Sequence, residues 1–399
     1  MIQHKSHKHL NPKTALTIGS IFCFFLFGLF DSLKGATLSV MLKDLNFNYS
    51  LGGTIVLGQY SGYFLSTILS GIFLDRFGHK LTLILAITSM IAGTAGYASV
   101  SILPLLFFFI LLVGFGLGTL ELCGSNIITT YYPEKKGRYL NILAAISGIG
   151  SILSPFLASR LFHAGHSWRF IYYLELIILI PVVLYFICMH APRFLTLKSS
   201  ESASKISSEE LHFNLFRKDL LLMYSISFMY MSAEMGITTW IAEFYVTEHG
   251  YTLAKSAQLL SLFYISMTLG RFFGSFFVDH IGRRQSTVFA SICTSVCIIF
   301  GIWGPASFAI LIALSGAFYS IVFPTVTAML SSLPSGNSAR VQGIYFACGG
   351  LGGMFGPWIM GIINSFLGLQ AGIFFSAILF LLILILLISV KKHNKNTAA

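Results

Sequence analysis

Long apolar stretches follow one another along this chain, and short polar segments separate them. An α-helix of about 20 apolar residues crosses the hydrocarbon core of a bilayer. Gly or Pro interrupts several stretches, which membrane helices tolerate. Twelve stretches are long enough, at roughly 15–41, 51–74, 81–100, 103–130, 139–161, 169–190, 219–246, 254–279, 285–303, 306–331, 339–366 and 370–390. The pattern predicts an all-α membrane protein with twelve transmembrane helices.

One polar segment is much longer than the others. Residues 191–218 contain Ser199-Ser200-Glu201 and Ser207-Ser208-Glu209-Glu210, and they fall between the sixth and seventh predicted helices. This composition is typical of a flexible linker. We therefore predict an N-terminal six-helix half at 1–190, a cytoplasmic linker at 191–218 and a C-terminal six-helix half at 219–399. Regulation of the linker by phosphorylation is an alternative that the sequence leaves open.

Two features recur in the two halves. Asp75-Arg76-Phe77-Gly78-His79-Lys80 has the same frame as Asp279-His280-Ile281-Gly282-Arg283-Arg284, 204 residues further on. Gly148–Pro155 likewise matches Gly350–Pro357, 202 residues further on. Glycine-rich runs of this kind let membrane helices approach closely. Six-helix halves around a site at the bilayer midplane are a transporter architecture, so the repeat predicts pseudo-symmetric halves and a transport function.

Composition agrees with lipid as the main solvent. The chain has 399 residues, of which 55% are hydrophobic and only 10% charged, and its mean hydropathy is +0.81. Soluble domains carry about 25% charged residues. The net charge of +11 lies in short loops and at the termini, which indicates membrane topology rather than nucleic-acid binding. The six cysteines lie in apolar stretches without a CxxC pair, so no disulfide framework or metal site is predicted.

The distribution of basic residues predicts the orientation. With the N-terminus inside, all but six of the 25 Lys and Arg residues lie on the inner side, and cytoplasmic segments carry such an excess. The six exceptions are Lys34, Lys43, Arg160, Arg169, Lys255 and Arg271. Both termini are therefore predicted to be cytoplasmic. The short loops and the lack of a large outer domain favour the bacterial inner membrane.

The repeated loops carry clustered charges at the cytoplasmic side. An Asp beside a helix N-terminus is stabilised by the helix dipole, and Arg or Lys pairs with carboxylates or carbonyl ends. We interpret the cluster as a gate that holds this side shut and breaks when it opens. Plain topological charge is the alternative. The predicted gate residues are Asp75, Arg76, Lys80, Asp279, Arg283 and Arg284.

Three carboxylic residues lie deep inside predicted helices. Asp31, Glu121 and Glu234 are about 15–18 residues into their spans, or about 22–27 Å. An ionisable group there costs about 2.5–3.5 kcal/mol by insertion scales, so it is a functional candidate. Glu121 and Asp31 are the candidates for proton coupling, because a carboxyl group in an apolar setting can load and release a proton. A permanent ion pair between Glu121 and Arg271 is the alternative.

A further set of residues suits a polar solute. Glu234 and Trp240 lie on one predicted helix, where an acid accepts hydroxyl hydrogen bonds and an indole stacks on the C–H face of a sugar. Packing is the alternative for both. Gln59 and Tyr63 lie inside the second predicted helix, where a hydrogen bond between helices is the alternative for Gln59. Arg271 either anchors an anionic substrate or holds its helix in place. These five residues form the candidate substrate site.

The loop frame resembles the signature of the major facilitator superfamily, Gly-x-x-x-Asp-Arg-x-Gly-Arg-Arg/Lys. The first copy keeps Gly71, Asp75, Arg76, Gly78 and Lys80, and the second keeps Asp279, Gly282, Arg283 and Arg284. His79, Ser275 and His280 depart from it. With the predicted helices and the central linker, the resemblance covers nearly the whole chain. It implies the major facilitator fold.

Shorter matches resemble a narrower group, the fucose–galactose–glucose proton symporters. They are Gly118-Thr-Leu-Glu121, Gln59-Tyr-Ser-Gly62-Tyr63, Tyr230-x-Ser-x-Glu234, Gly270-Arg271 and Phe323-Pro324. In that group the Glu of the fourth helix takes part in proton-coupled sugar uptake, which implies this role for Glu121. Three positions depart from the fucose members, which have a carboxylate near Gly35 and amides near Ala144 and Ser147.

We therefore expect a secondary transporter that takes up a small polar solute, a hexose-type sugar, with protons by alternating access. The alternatives are a proton-driven exporter of drugs or metabolites, and an importer of an amino acid or nucleoside. Exporters of the superfamily often carry Gly-Pro-x-x-Gly-Gly where this chain has Ser154-Pro155-Phe-Leu-Ala-Ser159, which disfavours export. Neither HExxH nor GxSxG occurs, which argues against an enzyme. The expected partners are the solute, protons and lipid, with no cofactor, and the protein is expected to be a monomer.

Overall fold

Nearly all residues that the structure describes are helical. The computed structural model describes residues 12–189, 215, 217–333 and 339–389. Within those ranges short connections join the helices, and no strand occurs. The predicted all-α fold class is confirmed.

The described helices follow the predicted spans closely. Short 3₁₀ turns, Pro133–Lys135 and Ala306–Ala309, precede α4 and α9. The helices are α1 Pro12–Leu45, α2 Tyr49–Ser99, α3 Leu103–Tyr131, α4 Lys136–His163, α5 Trp168–Cys188, α6 Lys218–His249, α7 Leu253–Ile281, α8 Arg283–Trp303, α9 Ile310–Leu314, α10 Gly316–Ser331, α11 Ala339–Leu367 and α12 Leu369–Ser389.

Helix length and apolar composition agree with the predicted number of spans. Ten helical segments of the described chain are long and apolar enough to cross a membrane. The 51-residue α2 covers two predicted spans, 51–74 and 81–100, and leaves helical geometry at Gly78 between them. Helix α7, with 29 residues, covers the predicted span 254–279. The described helices are therefore consistent with twelve spans.

The described residues fall into two compact units. The first contains the described residues of Met1–Asp31, Ser61–Ser151 and Arg169–Lys205, and the second contains those of Ser32–Tyr60, Ile152–Trp168 and Ile206–Ala399. The predicted halves, 1–190 and 219–399, rest on the sequence repeat and stay a prediction. Residues 191–214 and 216 of the predicted linker lie outside the described residues.

Glycine allows close helix contact in each unit. In the first unit, a Cβ added at Gly150 of α4 would lie 2.5 Å from the Phe25 carbonyl oxygen of α1. In the second unit, a Cβ added at Gly352 of α11 would overlap the Phe228 carbonyl oxygen of α6. Gly150 and Gly352 lie 202 residues apart, which is the spacing of the repeated glycine runs. The repeated glycine runs therefore have the same packing role, that of small residues between membrane helices.

Candidate functional site

Three of the predicted site residues come together in the first unit. The Tyr63 hydroxyl of α2 donates a hydrogen bond of 2.5 Å to Oε2 of Glu121 on α3. Asp31 of α1 lies within electrostatic reach of both groups. Glu121 and Asp31 are half-buried. Two carboxyl groups and a phenol from three helices therefore form one cluster.

Close approach of α2 and α3 places Tyr63 beside Glu121. A Cβ added at Gly62 would overlap the Leu111 carbonyl oxygen, and one added at Gly118 would overlap the Ser66 hydroxyl. A larger residue at either glycine would force the two helices apart. Because Gly118 is one turn before Glu121, the carboxyl group lies on the face of α3 that contacts α2.

The second unit holds a carboxyl group among aromatic rings. Glu234 of α6 is 8% exposed, and its charge acts on Tyr230, one turn earlier, and on Tyr319 of α10. Tyr230 is also within reach of the charge of Arg271 on α7. The Tyr230 ring stacks on Phe323 of α10, with ring centroids 5.4 Å apart. Neither tyrosine was a predicted site residue, although a Tyr four residues before a membrane carboxyl group is a signal for Tyr230.

Trp240 and Gln59 are buried in the second unit. The Trp240 side chain is 0% exposed, and its indole Nε1 donates a 2.9 Å hydrogen bond to the Pro357 carbonyl oxygen of α11. The ring meets Tyr49 edge-on, with centroids 5.7 Å apart. Gln59 is also buried, whereas Arg271 is exposed. A role of these residues in binding a solute stays a prediction.

The first repeated loop ties together helices of its own unit. The His79 Nε2 atom lies 2.9 Å from Oδ1 of Asn126 on α3. The Lys80 ammonium donates to the carbonyl oxygens of Ile187 and Met189, at 2.8 and 2.7 Å. These carbonyl groups lie at the C-terminal end of α5, where a cation also complements the helix dipole.

The second loop makes equivalent contacts with two arginines. Arg283 Nη1 donates a 3.1 Å hydrogen bond to the Ala328 carbonyl oxygen of α10. Arg284 donates through Nε and Nη2 to the carbonyl oxygens of Leu387 and Ile388, at 3.1 and 3.0 Å. Both acceptors are close to the C-terminal end of α12. The second basic position of each loop therefore caps the last helix of its half of the repeat.

Each loop turns at a glycine with positive φ. The φ angles are 72° at Gly78 and 94° at Gly282, in a region that residues with a Cβ rarely adopt. Asp75 and Arg76 are exposed, and the side chain of Asp279 lies outside the described part of the chain. The contacts described for the basic residues join helices of one unit each. A role of the six loop residues as a gate stays a prediction.

Sequence comparison agrees with this architecture. The chain matches the family profile of the Major Facilitator Superfamily over residues 20–308 and 256–399, which include both repeated loops and both carboxyl sites. The chain belongs to the major facilitator superfamily. It is therefore an integral membrane transporter of a small-molecule substrate and not an enzyme.

Other proteins of the superfamily align with this chain over most of its length. The cis,cis-muconate transport protein of Acinetobacter baylyi is 25% identical over 364 residues, which cover 86% of this chain and 87% of that protein. The L-fucose-proton symporter of Escherichia coli is 21% identical over 337 residues, 77% of each chain. The crystal structure of a D-xylose-proton symporter has a TM-score of 0.77 at 16% identity, covering 97% of this chain and 99% of that one. The structural likeness establishes the fold.

Glu243 is a buried carboxyl group that was not among the predicted site residues. Glu243, near the C-terminal end of α6, is 3% exposed. Its Oε1 accepts hydrogen bonds from the hydroxyls of Tyr49, at 3.2 Å, and Thr247, at 2.9 Å. In sequence it lies close to the predicted helix end at 246, where a charged residue is unremarkable. Its burial depends on contacts with helices that are distant in sequence.

The two units offer different chemistry. The cluster around Glu121 combines carboxylate acceptors with the exchangeable proton of a phenol. Glu234 instead lies among aromatic rings. Rings of this kind suit apolar C–H faces, and a carboxylate suits hydroxyl donors. Among the described residues, no group of three or more His, Cys, Asp or Glu side chains is placed to hold a metal ion.

Proposed function

We propose that this transporter takes up a small polar solute, a hexose-type sugar, together with protons by alternating access. The observation that carries the proposal is the hydrogen bond between Tyr63 and Glu121, with Asp31 close by. Charged groups inside a membrane are costly, and those that occur are typical of ion and proton pathways.

Proton coupling follows from the chemistry of this cluster. With both carboxyl groups charged, two negative charges lie near each other in a medium of low dielectric constant, and one bound proton removes much of that cost. A phenol donates most strongly to a charged carboxylate. Loading a proton on Glu121 therefore weakens the link from Tyr63, so that proton binding alters the contact between α2 and α3.

Sugar binding is supported by the site around Glu234. Its carboxylate accepts hydroxyl hydrogen bonds, and Tyr230, Tyr319 and Phe323 supply rings for the C–H faces of a sugar. The likeness to the L-fucose and D-xylose proton symporters favours the same class of solute and the same coupling ion.

Import of an organic carboxylate is the second candidate. Arg271 is exposed on α7 beside Tyr230, and a guanidinium pairs well with a carboxylate. The likeness to the cis,cis-muconate transport protein favours this class of solute.

We also propose that the protein lies as a monomer in a bacterial inner membrane with both termini in the cytoplasm. The excess of Lys and Arg in the segments on that side supports this orientation. The two repeated loops then face the cytoplasm, where they take part in closing that side. The residues proposed for this gate are Asp75, Arg76, Lys80, Asp279, Arg283 and Arg284.

Uptake by the purified protein in proteoliposomes tests the proposal. With the outside acidic, we expect D-galactose, D-glucose or L-fucose to accumulate against its concentration gradient. Glu121→Gln should abolish accumulation but retain solute exchange, because an amide carries no titratable proton. Glu134→Gln, in the exposed turn before α4, is the matched control and should behave as the unsubstituted chain.

Two results would contradict the proposal. Accumulation by Glu121→Gln at the unsubstituted rate excludes the coupling role of this residue. Accumulation of cis,cis-muconate without that of any sugar replaces the first candidate with the second.

A further inference from the structure

A cavity of about 840 Å³ opens at one end of the second unit. It lies where α1 ends and α2 begins, beside the C-terminal ends of α6 and α11. In the proposed orientation this is the outer end. Its volume is within the range of about 300–1,000 Å³ that small-molecule sites occupy. The residues that line it include none of those proposed for proton coupling or for the transport site.

The cavity contains a buried acceptor. Glu243 lines it and is 3% exposed. Its Oε1 is bonded to Tyr49 and Thr247, whereas its Oε2 has no hydrogen-bond partner within the described chain. Buried carboxylate oxygens are ordinarily satisfied by a donor. A solute that brings hydroxyl donors would supply one.

The rest of the lining suits the same kind of solute. Aromatic rings and side-chain amides occur together in it, namely Phe47, Tyr49 and Phe366 with Asn46, Asn48 and Asn364. The Phe366 ring is 82% exposed. Amides and a carboxylate bind sugar hydroxyls, and an open aromatic ring covers a C–H face. Lys43, which also lines the cavity, adds an ammonium donor.

Tyr49 connects this cavity with the buried packing behind it. Its hydroxyl donates to Glu243, and its ring meets Trp240 at an interplanar angle of 89°. The Trp240 indole is in turn bonded to Pro357. A solute that donates to Glu243 shares this carboxylate with Tyr49, and it is thereby linked to the contact between Tyr49 and Trp240.

We propose that this cavity is an outer docking site for a sugar, which binds Glu243 and Phe366 before it reaches the transport site. The sugar class rests on the proposed function, whereas the site rests on the lining of the cavity.

Protection of a cysteine tests the docking site independently of transport. Phe366→Cys and Leu367→Cys form a matched pair, because both side chains are largely exposed and only Phe366 lines the cavity. Each is labelled in right-side-out vesicles with a membrane-impermeant maleimide, and the unsubstituted chain gives the background of its six cysteines. D-galactose, D-glucose or L-fucose should slow labelling of Phe366→Cys several-fold and leave Leu367→Cys unchanged. Adding the isosteric Glu243→Gln should remove most of the protection.

Each outcome separates the docking site from the transport proposal. If none of the sugars slows the labelling of Phe366→Cys, the docking site is wrong. If the protection is undiminished after Glu243→Gln, this carboxylate does not bind the sugar. Protection without proton-driven uptake by the unsubstituted chain supports the docking site and overturns the proposed function. If the maleimide labels Phe366→Cys only from the cytoplasmic face of the membrane, the cavity does not lie at the outer end.

Discussion

The two copies of the repeated loop tie equivalent helices with different chemistry. In the first copy an imidazole meets the Asn126 side chain, and the Lys80 ammonium serves two carbonyl groups at the end of α5. In the second copy Arg283 and Arg284 donate guanidinium hydrogen bonds to backbone carbonyl groups alone. The frame therefore specifies which helix ends are held, whereas the donor is free to vary. Each copy of the loop joins helices within one unit.

The largest effect is expected at the close helix contact that recurs once within each unit. Gly150→Val and Gly352→Val would each drive a side chain into a backbone carbonyl of the neighbouring helix. We expect each to lower stability by about 3 kcal/mol, the upper part of the usual range for overpacking. The thermal unfolding midpoint of the purified protein in detergent measures the loss.

Gly343→Val is the control, because a Cβ there meets open space on the same helix as Gly352. A loss at Gly343 as large as at Gly352 would show that glycine flexibility, and not close approach, determines stability here.

A smaller effect is expected where each loop turns. Gly78→Ala and Gly282→Ala place a Cβ on backbone with positive φ, where the strain costs about 1–3 kcal/mol. Since both copies share this geometry, the two losses should agree within about 1 kcal/mol of each other. Gly71→Ala in open space on α2 should be neutral or slightly stabilising. If the thermal unfolding midpoint is unchanged in one of the two loop variants, the two copies differ in how much their glycine turn contributes to stability.

The smallest effect sharpens the difference in donors. Lys80→Met and Arg284→Met should each cost about 0.5–1 kcal/mol, because carbonyl ends of a helix lose a cation. Lys80→Arg should retain most of the stability. The stability of Arg284→Lys should fall between that of the unsubstituted chain and that of Arg284→Met, since an ammonium lacks the fork of a guanidinium. Arg138→Met, at an exposed position, is the control. Equal midpoints for all of these variants would exclude a contribution of the caps.

Much of the fold could be predicted because lipid imposes a simple rule on length and polarity. The predicted span 103–130 corresponds to Leu103–Tyr131, and 169–190 corresponds to Trp168–Cys188. The boundary between 51–74 and 81–100 was harder to foresee, because the charged loop there stays helical apart from the single residue Gly78. Hydropathy reports burial in lipid and is insensitive to that backbone geometry.

The site was predictable only in part. Asp31, Tyr63 and Glu121 could be selected one at a time, since a charge or phenol inside an apolar stretch is conspicuous. The contact of Tyr63 with Glu121, however, depends on glycines between α2 and α3. Glu243 could not be selected, because Tyr49 and the ends of α1 and α11, which lie around it, are distant from it in sequence.

The enclosure of Trp240 has a practical consequence. An indole that is 0% exposed and packed against Tyr49 emits at short wavelength, and contact with water would shift that emission to the red. The other tryptophans, Trp168, Trp303 and Trp358, can be replaced to leave this one chromophore. The protein would then carry an intrinsic optical reporter where α6 packs against α11 and Tyr49, and separation of these helices could be followed by light alone.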